Sequence, residues 1–235
     1  MTAVPTATTP DEAVLDNPIW ASLTGAHAGL AEVCGTVRRY RPSVSPFIGL
    51  PDGPSDQVWR DLATLAGSGA VVPLASTSAT PPAAWDRLET VGGVQLVATD
   101  RVIGVIDPEA VPLGVEDVPD MLALIERTRP GPFAPETYRL GNYVGIRRGG
   151  RLVAMAGQRL NPPGWAEISA VCTDADQRGQ GLATRLVLTV TALIRARGET
   201  PFLHAAASNT GAIRLYEALG FRLRKHTSFD AVRVP

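Results

Sequence analysis

The segment that most constrains the fold is a predicted strand, turn and helix between Trp165 and Ala196. "WAEISAVCT" has the apolar and β-branched residues of a strand, and "RGQG" supplies the glycines of a tight turn. From about Gly181 onward, apolar residues recur at helical spacing and form one continuous stripe. Strands that alternate with amphipathic helices are the building units of α/β folds. We therefore expect an α/β fold.

Segments on both sides of this unit continue the alternation. A helix is predicted over 116–127 and a hairpin over 142–160, and a strand and a helix follow at "PFLHAAA" and "NTGAIRLYEAL". The C-terminal "FRLRKHTSFDAVRV" predicts one or two strands, and its lack of a good turn favours one long bulged strand. A missing final strand is then expected from "GVQLVATD" in the first half. The prediction is a central mixed, twisted sheet flanked by helices.

The first half of the chain predicts a smaller α/β unit. Its segments indicate strand, helix, strand, helix, strand, with a single strand at "GLAEVCGTVRRY", a helix over 57–66 and a second helix at "PPAAWDRLETV". We expect residues 1–10 to be disordered, 11–107 to form this unit and 108–235 the second domain. The first unit has no counterpart of "RGQGLA". One hypothesis is a degenerate tandem copy that packs against the second half and shapes its site; an unrelated α/β cap is the alternative.

Composition narrows the class of partner. The 235 residues are 45% hydrophobic and carry a formal net charge of −1, so the chain buries a core and gives no overall electrostatic reason to bind nucleic acid or a membrane. No secretory signal and no apolar run of about 18 residues is visible. Cys34 and Cys172 lie far apart and lack the spacing of a metal site or disulfide framework. We expect a cytoplasmic protein with buried thiols and no bound metal.

The turn "RGQGLA" is the first candidate for chemistry. It fits R-x-x-G-x-A and opens a helix whose first N–H groups lack intrahelical partners. Those groups and the helix dipole form an anion site that suits a pyrophosphate. The pattern alone arises by chance in about one chain of this length in four or five, so a purely structural turn stays open. Neither a G-x-G-x-x-G fingerprint nor a G-K-[ST] P-loop is present.

The segment "NTGAIRLYEALGF" is the second candidate. Asn209 stands where its amide can cap the helix or reach a ligand. Tyr216 lies on the same helix, and either packs as an amphipathic core residue or donates a proton from its phenol. Each motif alone is weak, but their order and separation are specific.

Together these motifs resemble the acetyl-CoA-binding core of the GNAT N-acetyltransferase superfamily. The resemblance spans roughly Leu113 to the C-terminus and is strongest between Trp165 and Phe221. It implies a GNAT acyl-CoA N-acyltransferase fold and an enzyme that moves the acetyl group of acetyl-CoA, its cosubstrate, to a primary amine. The acceptor would be a small molecule or peptide, and the protein a monomer or homodimer. Many members carry a proline before the arginine, where this chain has Ala175 and Asp176.

The resemblance also implies roles for particular residues. The strand would offer main-chain groups to the pantetheine arm and the acetyl carbonyl, the turn would wrap the pyrophosphate, Asn209 would contact the cofactor, and Tyr216 would protonate the departing thiolate. The strand residues are Val171, Cys172 and Thr173, and the turn residues are Arg178, Gly179, Gln180, Gly181, Leu182, Ala183 and Thr184.

Glu167 would be the general base, because a glutamate at this separation from the turn has that role in histone-acetylating members. The alternative is that Glu167 is a solvated carboxylate on the strand without a catalytic role. Cys172 is interpreted as a wall of the cleft rather than a nucleophile, and His204 as a core histidine. A non-catalytic acyl-CoA-binding sensor of the same fold is the alternative function. The sequence names no acceptor.

Overall fold

The N-terminal region forms a small layer of its own. The structure, a computed structural model, describes residues 10–75 and 79–235, so the predicted disordered segment 1–10 lies outside the described residues except for Pro10. Helix α1 begins at a proline, whose fixed φ suits the first helical position. The elements are α1 (Pro18–Thr24), α2 (Asp56–Ala66) and a three-stranded antiparallel sheet of β1 (Ala31–Cys34), β2 (Val37–Tyr40) and β3 (Ile48–Gly49).

An eight-stranded mixed sheet forms the centre of the molecule. Its strands are β4 (Val71–Ala75), β5 (Asp86–Ala98), β6 (Val111–Leu113), β7 (Tyr143–Arg148), β8 (Arg151–Gln158), β9 (Trp165–Thr173), β10 (Thr200–Ala206) and β11 (Phe221–Arg233), joined by helices α3 (Val118–Thr128), α4 (Leu182–Arg195) and α5 (Thr210–Leu219). The strand order is β4-β11-β5-β10-β9-β8-β7-β6. Among the described strands of this sheet, β9 and β10 pair in parallel and all other neighbours are antiparallel. The predicted mixed sheet flanked by helices is confirmed.

Each face of this sheet has its own core. Leu186, Val190 and Ile194 of α4 are fully buried against one face, because they recur at helical spacing. On the opposite face, Trp165 and Phe202 pack against the N-terminal segment, whose buried residues there include Leu15, Ile19, Tyr40 and Phe47. The first half of the chain therefore covers part of the face opposite α4, and α3 covers another part.

Two expectations for the first half are wrong. The predicted helix at "PPAAWDRLETV" is absent, and from Asp86 that segment belongs to β5, which pairs with β11 from Phe221↔Ala98 to Arg233↔Asp86. Pairing with a distant strand overrides the local preference for a helix. The predicted strand at "GLAEVCGTVRRY" is a hairpin instead, and Gly35 provides the positive φ of 54° that its tight turn needs.

Expectations for the C-terminal strands are confirmed. β11 is one long strand with a register shift between Leu223 and Lys225. The segment "GVQLVATD" lies in β5 up to Ala98, and this strand pairs between β10 and β11. Strands from 11–107 and from 108–235 thus share one sheet, while the division at 107/108 and the tandem origin of the first half stay predictions. Within the described ranges, none of the helices has the length and apolar character needed to cross a bilayer.

Candidate active site

A gap opens in the middle of the sheet where β9 and β10 separate. Their ladder ends at the pair Leu203↔Ile168, although β9 continues to Thr173 and β10 to Ala206. Just beyond this point Ala170 has a positive φ of 53°, beside a register shift between β8 and β9. A non-glycine residue in this conformation costs about 1 kcal/mol or more, and such strain concentrates at functional sites.

A cavity of about 940 Å³ fills the gap and reaches both faces of the sheet. We call its two parts the helix side and the N-terminal side. The helix side is lined by residues from β9, from the turn before α4 and from α5. The N-terminal side is lined by residues 128–132 at the end of α3 and by Phe47, Pro73, Ala75, Glu89, Val91, Arg159, His204, Phe229, Asp230 and Ala231.

The turn before α4 presents open backbone to the helix side. Gly179 and Gly181 line the cavity with φ of 78° and 73°, and a Cβ built on either would meet nothing within 4 Å. The first intrahelical bond runs from the Arg185 N–H to the Gly181 carbonyl at 3.1 Å, so the preceding N–H groups of α4 lack helical partners. These free donors and the positive end of the helix dipole make the turn an anion site.

Polar groups flank this anion site. Asn209 Oδ1 accepts a hydrogen bond of 3.2 Å from the Ala212 N–H, so this side chain caps α5 while it lines the cavity. Thr173 also lines the cavity, and its Oγ1 is buried without a hydrogen-bond partner among the described residues. Such a hydroxyl is available to a ligand.

Tyr216 places a protonated phenol at the same cavity. It projects from α5, packs its ring 6.0 Å from that of Phe221, and is only 7% exposed. Burial raises its pKa to about 12. In the part of the chain that the structure describes, its hydroxyl has no hydrogen-bond partner, so it remains a free proton donor at neutral pH.

Glu167 is held in a buried cluster behind the cavity wall. Arg159 Nε and Nη2 donate to its two carboxylate oxygens at 2.8 and 2.5 Å, and His204 Nδ1 lies 2.7 Å from Oε1. Burial alone would raise the pKa of this carboxyl, but Arg159 and His204 outweigh it and hold the pKa at about 2. Glu167 is 0% exposed, and it is not one of the residues that line the cavity. Arg159 and His204, which both contact its carboxylate, do line the cavity.

A second set of hydrogen bonds fixes the tautomer of His204. Gln95 Oε1 accepts from Arg224 at 3.0 Å, and Gln95 Nε2 donates to the Leu15 carbonyl at 2.9 Å, which orients the amide. Gln95 Nε2 also lies 3.1 Å from His204 Nε2. Since an amide nitrogen can only donate, His204 Nε2 is the acceptor and Nδ1 carries the proton toward Glu167.

Cys172 lines the cavity as a neutral thiol. Burial raises its pKa to about 11, and it is 7% exposed. A thiol with that pKa is a poor nucleophile at neutral pH, which supports its interpretation as a wall. Across residues 10–75 and 79–235, no cluster of His, Cys, Asp or Glu has a geometry that could hold a metal ion.

The structure brings most of the sequence-predicted site residues to one cavity. Gln180, which is exposed, and Glu167 are outside its lining. The predicted residues that line it are Val171, Cys172, Thr173, Arg178, Gly179, Gly181, Leu182, Ala183, Thr184, Asn209 and Tyr216.

Sequence reasoning missed the residues that the first half of the chain brings to the N-terminal side of the cavity. Arg159 carried a local signal, because it is a charged residue directly after the apolar run of β8. Gln95, Phe47 and Glu89 carried none, since they come from the first half and meet the site only through the sheet pairing of β5 and the packing of the N-terminal layer.

Known proteins resemble this chain in sequence and in fold. A sequence model of the family described as FR47-like protein matches residues 143–229. A solved structure of a GNAT-family protein from Novosphingobium aromaticivorans is 40% identical; the match covers 94% of this chain and 98% of that chain, with a TM-score of 0.85.

Matches to curated relatives are shorter. N-alpha-acetyltransferase RimI of Mycobacterium tuberculosis is 37% identical over 84 residues, which is 34% of this chain and 52% of that protein. Mycothiol acetyltransferase of Thermobispora bispora is 43% identical over 56 residues, 23% of this chain and 19% of that protein. The chain thus spans about half the length of the first relative and about a fifth of the second. The full-length match at 40% identity carries the assignment: the chain belongs to the GNAT acetyltransferase family.

Proposed function

We propose that the protein transfers the acetyl group of acetyl-CoA to a primary amine. The observation that carries this proposal is the open glycine turn before α4, which meets the gap between β9 and β10 in one cavity. An anion site at one end and a slot between separated strands at the other suit a ligand with a pyrophosphate and an extended arm. RimI and mycothiol acetyltransferase, two relatives that match parts of this chain, bear acetyltransferase names.

The residues present fit acetyl-CoA as cosubstrate. Gly179 and Gly181 leave room for a pyrophosphate, and the free N–H groups of the first turn of α4 would bind its oxygens. Asn209 and Thr173 supply further polar contacts, and the unpaired edge of β9 would pair with the pantetheine amides. Acetyl-CoA supplies an activated acetyl thioester.

Tyr216 is the proposed proton donor to the departing thiolate. Its pKa of about 12 keeps the phenol protonated at neutral pH, and its hydroxyl is free of other partners among the described residues. The proton would move from Tyr216 Oη to the sulfur as the thioester bond breaks. General acids of this kind contribute roughly 10²–10⁴-fold to rate.

Glu167 is proposed to act on the amine through His204 rather than directly. A carboxyl with a pKa of about 2, held by two nitrogens of Arg159, has little tendency to take a proton from an ammonium group. His204 lines the cavity and donates its Nδ1 proton to Glu167, so a proton accepted at Nε2 would give an imidazolium stabilised by that carboxylate. The step requires the Gln95 amide to release Nε2.

Thiol release from acetyl-CoA in the presence of a panel of primary amines tests this function. A transferase releases thiol in proportion to acetylated amine. Saturable acetyl-CoA binding without thiol release for any amine would contradict catalysis and favour the acyl-CoA-binding sensor. Glu167→Gln and His204→Asn then address the proton path. Both should change the pH–rate profile, and an unchanged profile in either variant removes that residue from the path.

A further inference from the structure

Arg159 has one guanidinium nitrogen that Glu167 does not use. Nε and Nη2 donate to the carboxylate, whereas Nη1 makes no hydrogen bond to any residue that the structure describes. Nη1 is also absent from the fully buried polar atoms without partners, and the Arg159 side chain is 14% exposed. Because Arg159 lines the N-terminal side of the cavity, Nη1 is accessible to a ligand there.

Rigid packing holds this donor in place. The guanidinium carbon lies 4.9 Å from the centroid of the Phe47 ring, and the bidentate contact with Glu167 restrains the plane of the group. The arginine also lies at the start of the gap, because its N–H bonds the Glu167 carbonyl one residue before the last β9–β10 pair. A group bound to Nη1 would therefore sit beside the reacting amine.

The charges nearby select what Nη1 can bind. Glu167 already neutralises Arg159, and Glu89 and Asp230 add two carboxylates to the lining. Arg129 and Arg178 also line the cavity, but Arg159, with Glu167 bound to it, has little net charge left to attract a free carboxylate, and Glu89 and Asp230 favour an ammonium group. The remaining walls are largely apolar, formed by Phe47, Phe229 and Val91 among others.

We propose that the acceptor carries a neutral carbonyl next to its primary amine, as in an amino-acid amide or a peptide N-terminus, and that Arg159 Nη1 binds this oxygen. This inference rests on the proposed acetyltransferase function and deepens it. The apolar walls take the side chain beside the amine. Arg159 is thus a specificity residue, distinct from the proton path through His204.

The test compares phenylalaninamide with phenethylamine in the wild type and in Arg159→Lys. Lysine keeps a positive charge for Glu167 but removes Nη1. Since each amine has the same basicity with both proteins, the change in the ratio of kcat/KM values isolates the contact to the carbonyl. The kcat/KM of phenylalaninamide relative to that of phenethylamine should be about tenfold to a hundredfold lower in Arg159→Lys than in the wild type, because the variant lacks the hydrogen bond from a charged donor to the carbonyl.

A second comparison needs no variant. β,β-Difluorophenethylamine has a weakened amine basicity like that of phenylalaninamide but no carbonyl, and free phenylalanine replaces the amide by a carboxylate. The wild type should prefer phenylalaninamide to both by about tenfold or more. Equal efficiencies for the amide and the difluoroamine, or an unchanged ratio in Arg159→Lys, overturn the acceptor assignment and leave acetyl transfer standing. Bound acetyl-CoA with no turnover of any amine overturns both.

Discussion

Replacing Glu167 by glutamine should change how stability depends on pH. The carboxyl has its pKa lowered from 4.5 to about 2 in the folded protein, where the opposing desolvation is outweighed by Arg159 and His204. A lowered pKa contributes stability above the unfolded value, near pH 4.5, and this contribution is lost as the pH falls toward 2. The difference between the two pKa values corresponds to a contribution on the order of 3 kcal/mol to the free energy of unfolding at neutral pH.

Removal of the carboxylate also leaves the Arg159 guanidinium buried without its ion pair. Breaking a buried pair from one side costs about 3–5 kcal/mol. Glu167→Gln should therefore unfold at a lower guanidinium chloride concentration than the wild type at pH 7. The difference in free energy of unfolding between the two proteins should be about 2 kcal/mol smaller at pH 3 than at pH 7.

Chemical denaturation followed by tryptophan fluorescence measures both effects. Glu116→Gln is the matched control, since Glu116 is exposed and makes no ion pair within 10–75 and 79–235. That variant should match wild type at both pH values. A Glu167→Gln deficit that is equally large at pH 7 and pH 3 would refute the account of this cluster.

Three further predictions address single residues. Tyr216→Phe should lower kcat by about 10²-fold and leave the affinity for acetyl-CoA unchanged. Tyr138→Phe, outside the cavity, should behave as the wild type. Equal kcat values for Tyr216→Phe and the wild type would show that Tyr216 is not the general acid. Cys172, with its pKa raised to about 11, should resist iodoacetamide at pH 8 until the protein unfolds, and rapid alkylation in the native state, seen by mass spectrometry, would contradict its burial. Leu186→Ala, at a fully buried position of α4, should cost about 2–5 kcal/mol in denaturation experiments, and a loss below that range would mean that the core collapses around the missing side chain.

The second half of the fold was predictable because its signals are local. The stripe of α4 and the glycines before it report burial and backbone conformation within one segment. The first half was less predictable. The segment from Asp86 has helical spacing, but its strand conformation depends on β11, more than a hundred residues away.

The helix side of the cavity was predictable for the same reason. The turn before α4 and the start of α5 each have a residue pattern that predicts their local backbone conformation. The buried cluster of Glu167 does not. Arg159 and His204 come from the two neighbouring strands, and Gln95 comes from the first half of the chain. No spacing within one sequence reveals that these side chains contact the expected base and lower its pKa.

Calorimetric titration of acetyl-CoA into wild type, Gly181→Leu and Gly198→Leu tests the central claim most directly. Both glycines have positive φ, 73° and 75°, and both have open space around the added Cβ, but only Gly181 lines the cavity. Each leucine thus costs about 1–2 kcal/mol of backbone strain, while only one obstructs the anion site. We expect wild type and Gly198→Leu to bind acetyl-CoA with similar affinity and Gly181→Leu to lose binding. Undiminished binding by Gly181→Leu, or none by the wild type, would contradict the assignment of this turn as the pyrophosphate site.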